Sequence, residues 1–206
     1  MKNKIVLDLC GGSGAWGKPY VEAGYKVYNI TLPEYDVTQV VFEEEYFYFN
    51  VLEKSKYDLK LFIRYEDVYG VLAAPPCTEF SKAKTTAPRD FGKGMKTIEA
   101  CLRIIWEIQK VNKLKFWALE NPEGLLRRFL GNPPYRFEQW WFGNDRCKKT
   151  DIWGRFKEPK RLVFEKPDNY QKAAHNKNAD WYSNSTAAQR AITPAGFANA
   201  FYKANK

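Results

Sequence analysis

Residues 4–17 constrain the fold more than any other stretch. Lys4-Ile5-Val6-Leu7-Asp8-Leu9 is a short apolar strand that runs directly into Cys10-Gly11-Gly12-Ser13-Gly14-Ala15-Trp16-Gly17. A strand feeding a glycine-rich turn and then a helix brings backbone N–H groups close to a nucleotide-like ligand. Glycine suits such a turn because side chains would block the approach and because positive φ is needed. The turn is not a phosphate-cradling P-loop, since no Gly-Lys-Ser/Thr follows, and its spacing departs from GxGxxG. Asp8, just before the turn, suits a ligand that carries a positive charge and hydroxyls rather than a pyrophosphate. A tight turn without a ligand is the plain alternative.

The rest of the chain repeats the pattern of a strand ending in chemistry. Tyr20 to Gly24 completes a helix, Tyr25 to Leu32 reads as a second strand, and Pro33 to Val37 follows as a loop at the same sheet edge. Residues 43 to 68 mix acidic and aromatic side chains without clean periodicity; a helix or a short strand is expected there. Tyr69 to Ala74 is a buried strand leading into Pro75-Pro76-Cys77-Thr78-Glu79-Phe80-Ser81. The loop from Ser81 to Lys96 carries Lys82, Lys84, Arg89, Lys93 and Lys96 against Asp90, with Gly92 and Gly94 as hinges. It reads as a mobile basic flap, or more simply as a solvated charge run. Ile98, Cys101, Leu102, Ile105 and Ile108 keep helical spacing, which makes Cys101 a core residue. Leu114 to Leu119 is a further strand, ending in Glu120-Asn121-Pro122. Alternating strands and helices, with acids, amides and a cysteine at strand C-terminal ends, describe an open and mostly parallel α/β sheet with its ligands at that edge.

Composition sets the outer limits. A chain of 206 residues, 45% hydrophobic and 17% aromatic, is expected to form one domain over 1–206 and is not disordered. No apolar run reaches membrane-spanning length and the start does not read as a signal peptide, so a cytoplasmic monomer without membrane contact is expected. Four scattered cysteines (Cys10, Cys77, Cys101, Cys147) and one histidine, His175, leave no evident metal set and suit a reducing compartment. A net charge of +9 points to a polyanionic partner.

Taken in order, Asp8-Leu9-Cys10-Gly11-Gly12-Ser13-Gly14, Asp36-Val37, Ala74-Pro75-Pro76-Cys77 and Glu120-Asn121-Pro122 resemble the cytosine-C5 DNA methyltransferase family, its compact phage-like members most of all. Lys148 to Trp153 and the tail from Thr193 to Phe201 extend the resemblance over almost the whole chain. It implies a Rossmann-like S-adenosylmethionine-dependent methyltransferase fold with helices on both faces of the sheet. It also implies S-adenosyl-L-methionine as cofactor, leaving as S-adenosyl-L-homocysteine. Carbon 5 of cytosine is too weak a nucleophile to take a methyl group unaided. A thiolate added at carbon 6 turns the ring into an enamine that can. The resemblance gives Cys77 that role; Glu120 would support the ring at N3 and N4, and Asn121 would hold the carboxylate or the base. A basic loop around Cys77 would favour its thiolate. Cofactor contacts are expected from Asp8, Cys10, Gly11, Gly12, Gly14, Trp16, Asp36, Pro75 and Asn199; the ribose partner stays open between Thr31 and Glu34.

Two departures qualify the resemblance. The family's Gln-x-Arg-x-Arg motif stands here as Arg146-Cys147-Lys148-Lys149-Thr150, with Arg146 or Lys148 left to reach the base carbonyl. Between Trp153 and Thr193 the chain is too short for a large target-recognition domain, so that region, about 154–192, is reduced or absent. Residues 146 to 166 hold eight basic and three acidic side chains, enough for phosphate contacts but offering little base readout. Nucleic-acid contacts are expected from Ser81, Lys82, Lys84, Arg89, Lys149 and Arg155. DNA is the expected partner, with RNA open and a separate specificity protein as a further expectation. Trp181 and Tyr182 offer an aromatic wedge as an alternative reader. Asn132-Pro133-Pro134-Tyr135 spells the motif of amino-methyltransferases, but it follows a helix-like run, Leu125 to Gly131, instead of a strand.

Overall fold

The computed structural model describes residues 4–52, 59–85, 87–143, 148–166 and 186–206. Arg146, Cys147, His175, Trp181 and Tyr182 lie outside these residues. Five strands point the same way in a six-stranded sheet: β1 (Ile5–Leu9), β2 (Lys26–Ile30), β6 (Val68–Ala73), β7 (Phe116–Pro122) and β8 (Tyr135–Glu138). The sixth, β9 (Lys149–Arg155), runs against its neighbours β7 and β8. The order is β2-β1-β6-β7-β9-β8. The chain leaves β1 toward β2 on one side and returns to pair with β6 on the other, so the strand order reverses between β1 and β6. In open α/β sheets the crevice at such a reversal is where ligands bind. Here it lies between the glycine turn after β1 and the Pro-Pro-Cys loop after β6, joined where the Ala74 N–H donates to the Leu9 carbonyl (2.9 Å).

Strand alternation sends successive side chains to opposite faces. Leu7, Leu9, Val71 and Leu119 meet Ile98, Cys101, Ile104, Ile105 and Ile108 of the long helix α2 (Phe91–Val111). On the other face Val6, Leu72, Phe116 and Ala118 meet Tyr20 of α1 (Lys18–Glu22) and Phe197 and Phe201 of the C-terminal helix α5 (Ala195–Asn205). Among the described residues two short helices complete the set, α3 (Arg127–Leu130) and α4 (Ala187–Ala191). Among the described residues no helix is long and apolar enough to cross a membrane.

Three stretches differ from the sequence reading. Residues 41–52 and 59–64 carry a separate three-stranded antiparallel sheet, β3 (Val41–Phe42), β4 (Tyr46–Asn50) and β5 (Lys60–Arg64). Its period was hidden because β4 has aromatic side chains on both faces: Phe47 and Phe49 are buried while Tyr46 and Tyr48 face outward. The expected flap is cut short at Asp90, whose carboxylate accepts the Lys93 N–H (2.8 Å) and caps α2. Gly92 and Gly94 are therefore helical, not hinges; a Cβ on Gly94 would press the Cβ of Glu79 at 2.9 Å, so glycine lets α2 approach the Cys77 loop. Finally, β7 runs on through Glu120, Asn121 and Pro122 because β9 pairs with it as far as Pro122–Thr150.

Candidate active site

The loop after β6 is a turn whose Cys77 carbonyl accepts from the Phe80 and Ser81 N–H groups (3.0 and 2.8 Å). The loop after β7 is fastened to it. Ser81 and Gly124 form a β-bridge, the Leu125 N–H donates to the Phe80 carbonyl (2.8 Å), and Lys82 Nζ reaches Glu123 at 2.8 Å. A Cβ at Gly124 would run into the Phe80 carbonyl, so only glycine permits the approach. Buried Asn121 adds a fourth tie, its Nδ2 donating to the Pro75 carbonyl at 3.0 Å. It thus positions the Pro-Pro-Cys loop, and its Oδ1 has no hydrogen-bond partner among the described residues.

Cys77, Glu120 and Lys148 come together at this edge. Lys148 Nζ stands 3.8 Å from Glu120 Oε1 and 3.4 Å from the Arg190 carbonyl at the end of α4. Burial pushes the Glu120 carboxyl above its usual range; the Lys148 cation opposes this, and Asp151 adds to it. Burial also raises the Cys77 thiol, with Lys148 pulling down and Glu120 pushing up. The expected thiolate-favouring basic loop is not what surrounds Cys77. Lys84 is turned onto Glu79 (2.6 Å), and Arg89 donates to the carbonyls of Glu79, Ser81 and Lys84 (2.7, 2.9 and 2.7 Å). Both cations hold the loop's own backbone and acid in place, which sequence charge alone could not distinguish from a flap. Among the described residues, the cation that acts on the thiol is Lys148.

The cofactor candidates divide by depth. Cys10 (φ +56°), Gly12 (φ +54°) and Gly14 (φ +69°) form a left-handed turn, and a Cβ on Gly12 would meet only open space. Asp8 is fully buried beneath that turn, accepting the Gly17 N–H at 3.1 Å, and braces the turn from within. Gly11 separates Asp8 from Asn29, whose Nδ2 donates to the Gly12 carbonyl at 2.9 Å; a Cβ there would strike both side chains. Trp16 is likewise buried, its ring against Phe197 and Phe201 at 5.8 and 5.4 Å between centroids, so it packs α5 to the sheet and offers no stacking face. Asp36 caps a short turn, accepting from Thr38 N and Oγ1 (2.9 and 2.7 Å). Pro75 is buried beside the turn, and Asn199 is exposed on α5. Thr31 and Glu34 lie in the loop after β2.

Of the nucleic-acid candidates, Ser81, Lys82 and Lys149 lie at the site's edge. Arg155 does not. It pairs with Trp117 at the far end of β7 and donates to the Leu114 carbonyl, so it belongs to the opposite edge of the sheet. Asn132-Pro133-Pro134-Tyr135 leads into β8 and closes no strand. The sequence reading missed Asn29, Glu123 and the pair Arg127–Asp151, in which Arg127 Nε and Nη2 clamp fully buried Asp151 (2.7 and 2.6 Å). An acid inside the strand Thr150-Asp151-Ile152 was the available signal for that pair. No known family model matches the chain, and no curated protein matches it.

Proposed function

We propose that this protein methylates carbon 5 of cytosine in nucleic acid, DNA first, through a covalent adduct of Cys77. The observation that carries the reading is the meeting of a half-buried thiol, a carboxyl held above its usual range and one lysine, at the sheet edge beside a glycine turn. Protonating the ring at N3 is what addition at carbon 6 requires, and burial, by raising the Glu120 carboxyl, favours its proton-bearing form. Cys77 gives up its proton to solvent, with Lys148 holding the thiolate. Sγ then bonds to carbon 6 while Glu120 delivers its proton to N3, and the electron pair arrives at carbon 5. S-adenosylmethionine, when bound, supplies the electrophilic methyl group. Once carbon 5 is methylated, loss of its proton to solvent expels the Cys77 thiolate and Glu120 recovers its proton from N3.

The glycine turn fits that cofactor: Gly12 and Gly14 leave the outer face free of side chains, and Asp36 lies in the loop after β2. Lys82 and Lys149 supply phosphate contacts near the site. Amino-methylation through Asn132 is disfavoured because that motif enters a strand, whereas the chemistry needs it at a strand end.

The test supplies labelled S-adenosylmethionine with duplex DNA and structured RNA and identifies the methylated nucleoside by mass. 5-Methylcytosine is expected with native protein and none with Cys77→Ala, which should still bind cofactor. DNA containing 5-fluorocytosine should trap the native protein covalently. A methyl group on an exocyclic nitrogen, or full activity in Cys77→Ala, defeats the reading.

A further inference from the structure

We propose that Leu162 and Phe164 form a wedge that enters a base step next to the target and holds it open while the target cytosine is turned out. The inference rests on the site acting on a base within nucleic acid, as above. A base that reacts at carbon 6 must leave the stack, which costs a few kcal/mol of unpairing, and apolar wedges commonly stabilise such openings.

Phe164 is 75% exposed and Leu162 58%, yet the backbone that carries them is clamped. The Trp141 carbonyl accepts both the Leu162 and Val163 N–H groups (2.9 and 3.0 Å). Arg161 donates to the Val163 and Phe164 carbonyls at 2.6 and 3.1 Å. Its guanidinium lies 4.5 Å from the ring centroids of both Trp140 and Trp141 and 5.3 Å from that of Phe164. Apolar side chains presented to water on a fixed mount lose little further freedom on insertion.

The mount sits at the edge that holds the site. Trp141 belongs to the turn Gln139–Phe142 that continues β8, and the Gln139 N–H donates to the carbonyl of Lys148, the residue beside Glu120. β8 lies two strands from β7, about 10 Å, close to the width of a DNA groove. From Lys157 to Lys166 four basic side chains stand against Glu158 and Glu165. That excess suits a polyanion and not an apolar protein face.

The experiment reads base opening separately from methyl transfer, using duplexes with 2-aminopurine at the target position, whose fluorescence rises on unstacking. Native protein should raise the signal, and Leu162→Ser/Phe164→Ser should not, while Phe164→Leu retains most of it. Methylation of duplex cytosine by the double variant should fall by roughly tenfold or more, with single-stranded cytosine affected by less than about twofold, because only the paired substrate must be opened. Equal loss on both substrates, no loss on the duplex, or a loss of self-association in its place overturns the wedge. Native protein that opens bases but methylates no cytosine carbon sinks the proposed function and keeps the wedge. Methylation with unchanged opening in the double variant does the reverse, and native protein that does neither overturns both.

Discussion

At the scale of single residues, two buried acids and one thiol carry unusual protons. Asp8 is pushed by burial from 3.8 up to about 7, against the lowering effect of the Gly17 N–H. Its folded value lies above its unfolded one, so its contribution to stability is complete below about pH 4 and is lost as pH rises through 7. Its Oδ1 and that of Asn29 are buried acceptors without a hydrogen-bond partner among the described residues, both against Gly11. Asp8→Asn keeps the Gly17 bond and places an N–H near Asn29. Denaturation at pH 5 and pH 8 should show the native protein weakening toward pH 8 by about 2–3 kcal/mol, and the variant flat. Lys148 supplies the second prediction. Its charge lowers both Cys77 and Glu120, so Lys148→Met should move both further up. The midpoint of Cys77 alkylation by iodoacetamide should shift to higher pH, and any pH–rate optimum should move the same way. An unchanged midpoint would mean that Lys148 does not act on the thiol.

At the scale of elements, α3 is held to β9 by the Arg127–Asp151 fork and by Trp153 Nε1, which donates to the Gly131 carbonyl at the end of α3 (3.0 Å). Removing Arg127 leaves the Asp151 carboxylate buried and uncompensated, a loss of about 3–5 kcal/mol. Arg127→Met should lower the melting temperature, and Arg127→Met/Asp151→Leu should recover most of it; no recovery would mean that the cost lies elsewhere. Arg89 makes an analogous case for the Cys77 loop. Arg89→Met strips the Glu79 and Lys84 carbonyls of this donor, leaving the Ser81 carbonyl with the Lys84 N–H (3.3 Å), and should speed proteolysis between residues 82 and 88, with α2 left folded by circular dichroism. These elements also show what was legible beforehand. Strands whose two faces are both buried read as apolar runs, so β1, β6 and β7 and the helix between β6 and β7 stood out in the sequence. The β3–β5 sheet did not, because aromatic residues serve its exposed face as well as its buried one. The loop after Cys77 misled for a different reason: Lys84 and Arg89 bond backbone carbonyls and an acid, and sequence charge does not reveal partners brought in by folding.

At the scale of the molecule, Cys77, Glu120 and the glycine turn were legible because an open parallel sheet gathers its strand ends at one edge. Lys148 was legible as a charge but not as the group that tunes the thiol, since that needs β9 folded back against β7. For the proposed function, the net charge of +9 carries a further prediction. Affinity for duplex DNA should fall steeply between low and moderate salt and vary little with sequence. Sequencing methylated sites from a random DNA pool checks this; a strict motif of about four bases or more from protein alone contradicts it. The bridge between Ser81 and Gly124 has one more consequence. Because the two loops are bolted together, on the function proposed above the translational and rotational entropy of bringing Cys77 to Glu120 is surrendered when the chain folds and not when a substrate arrives. Selectivity then cannot come from a ligand completing the constellation; it has to be exerted earlier, on whether a base reaches the crevice at all.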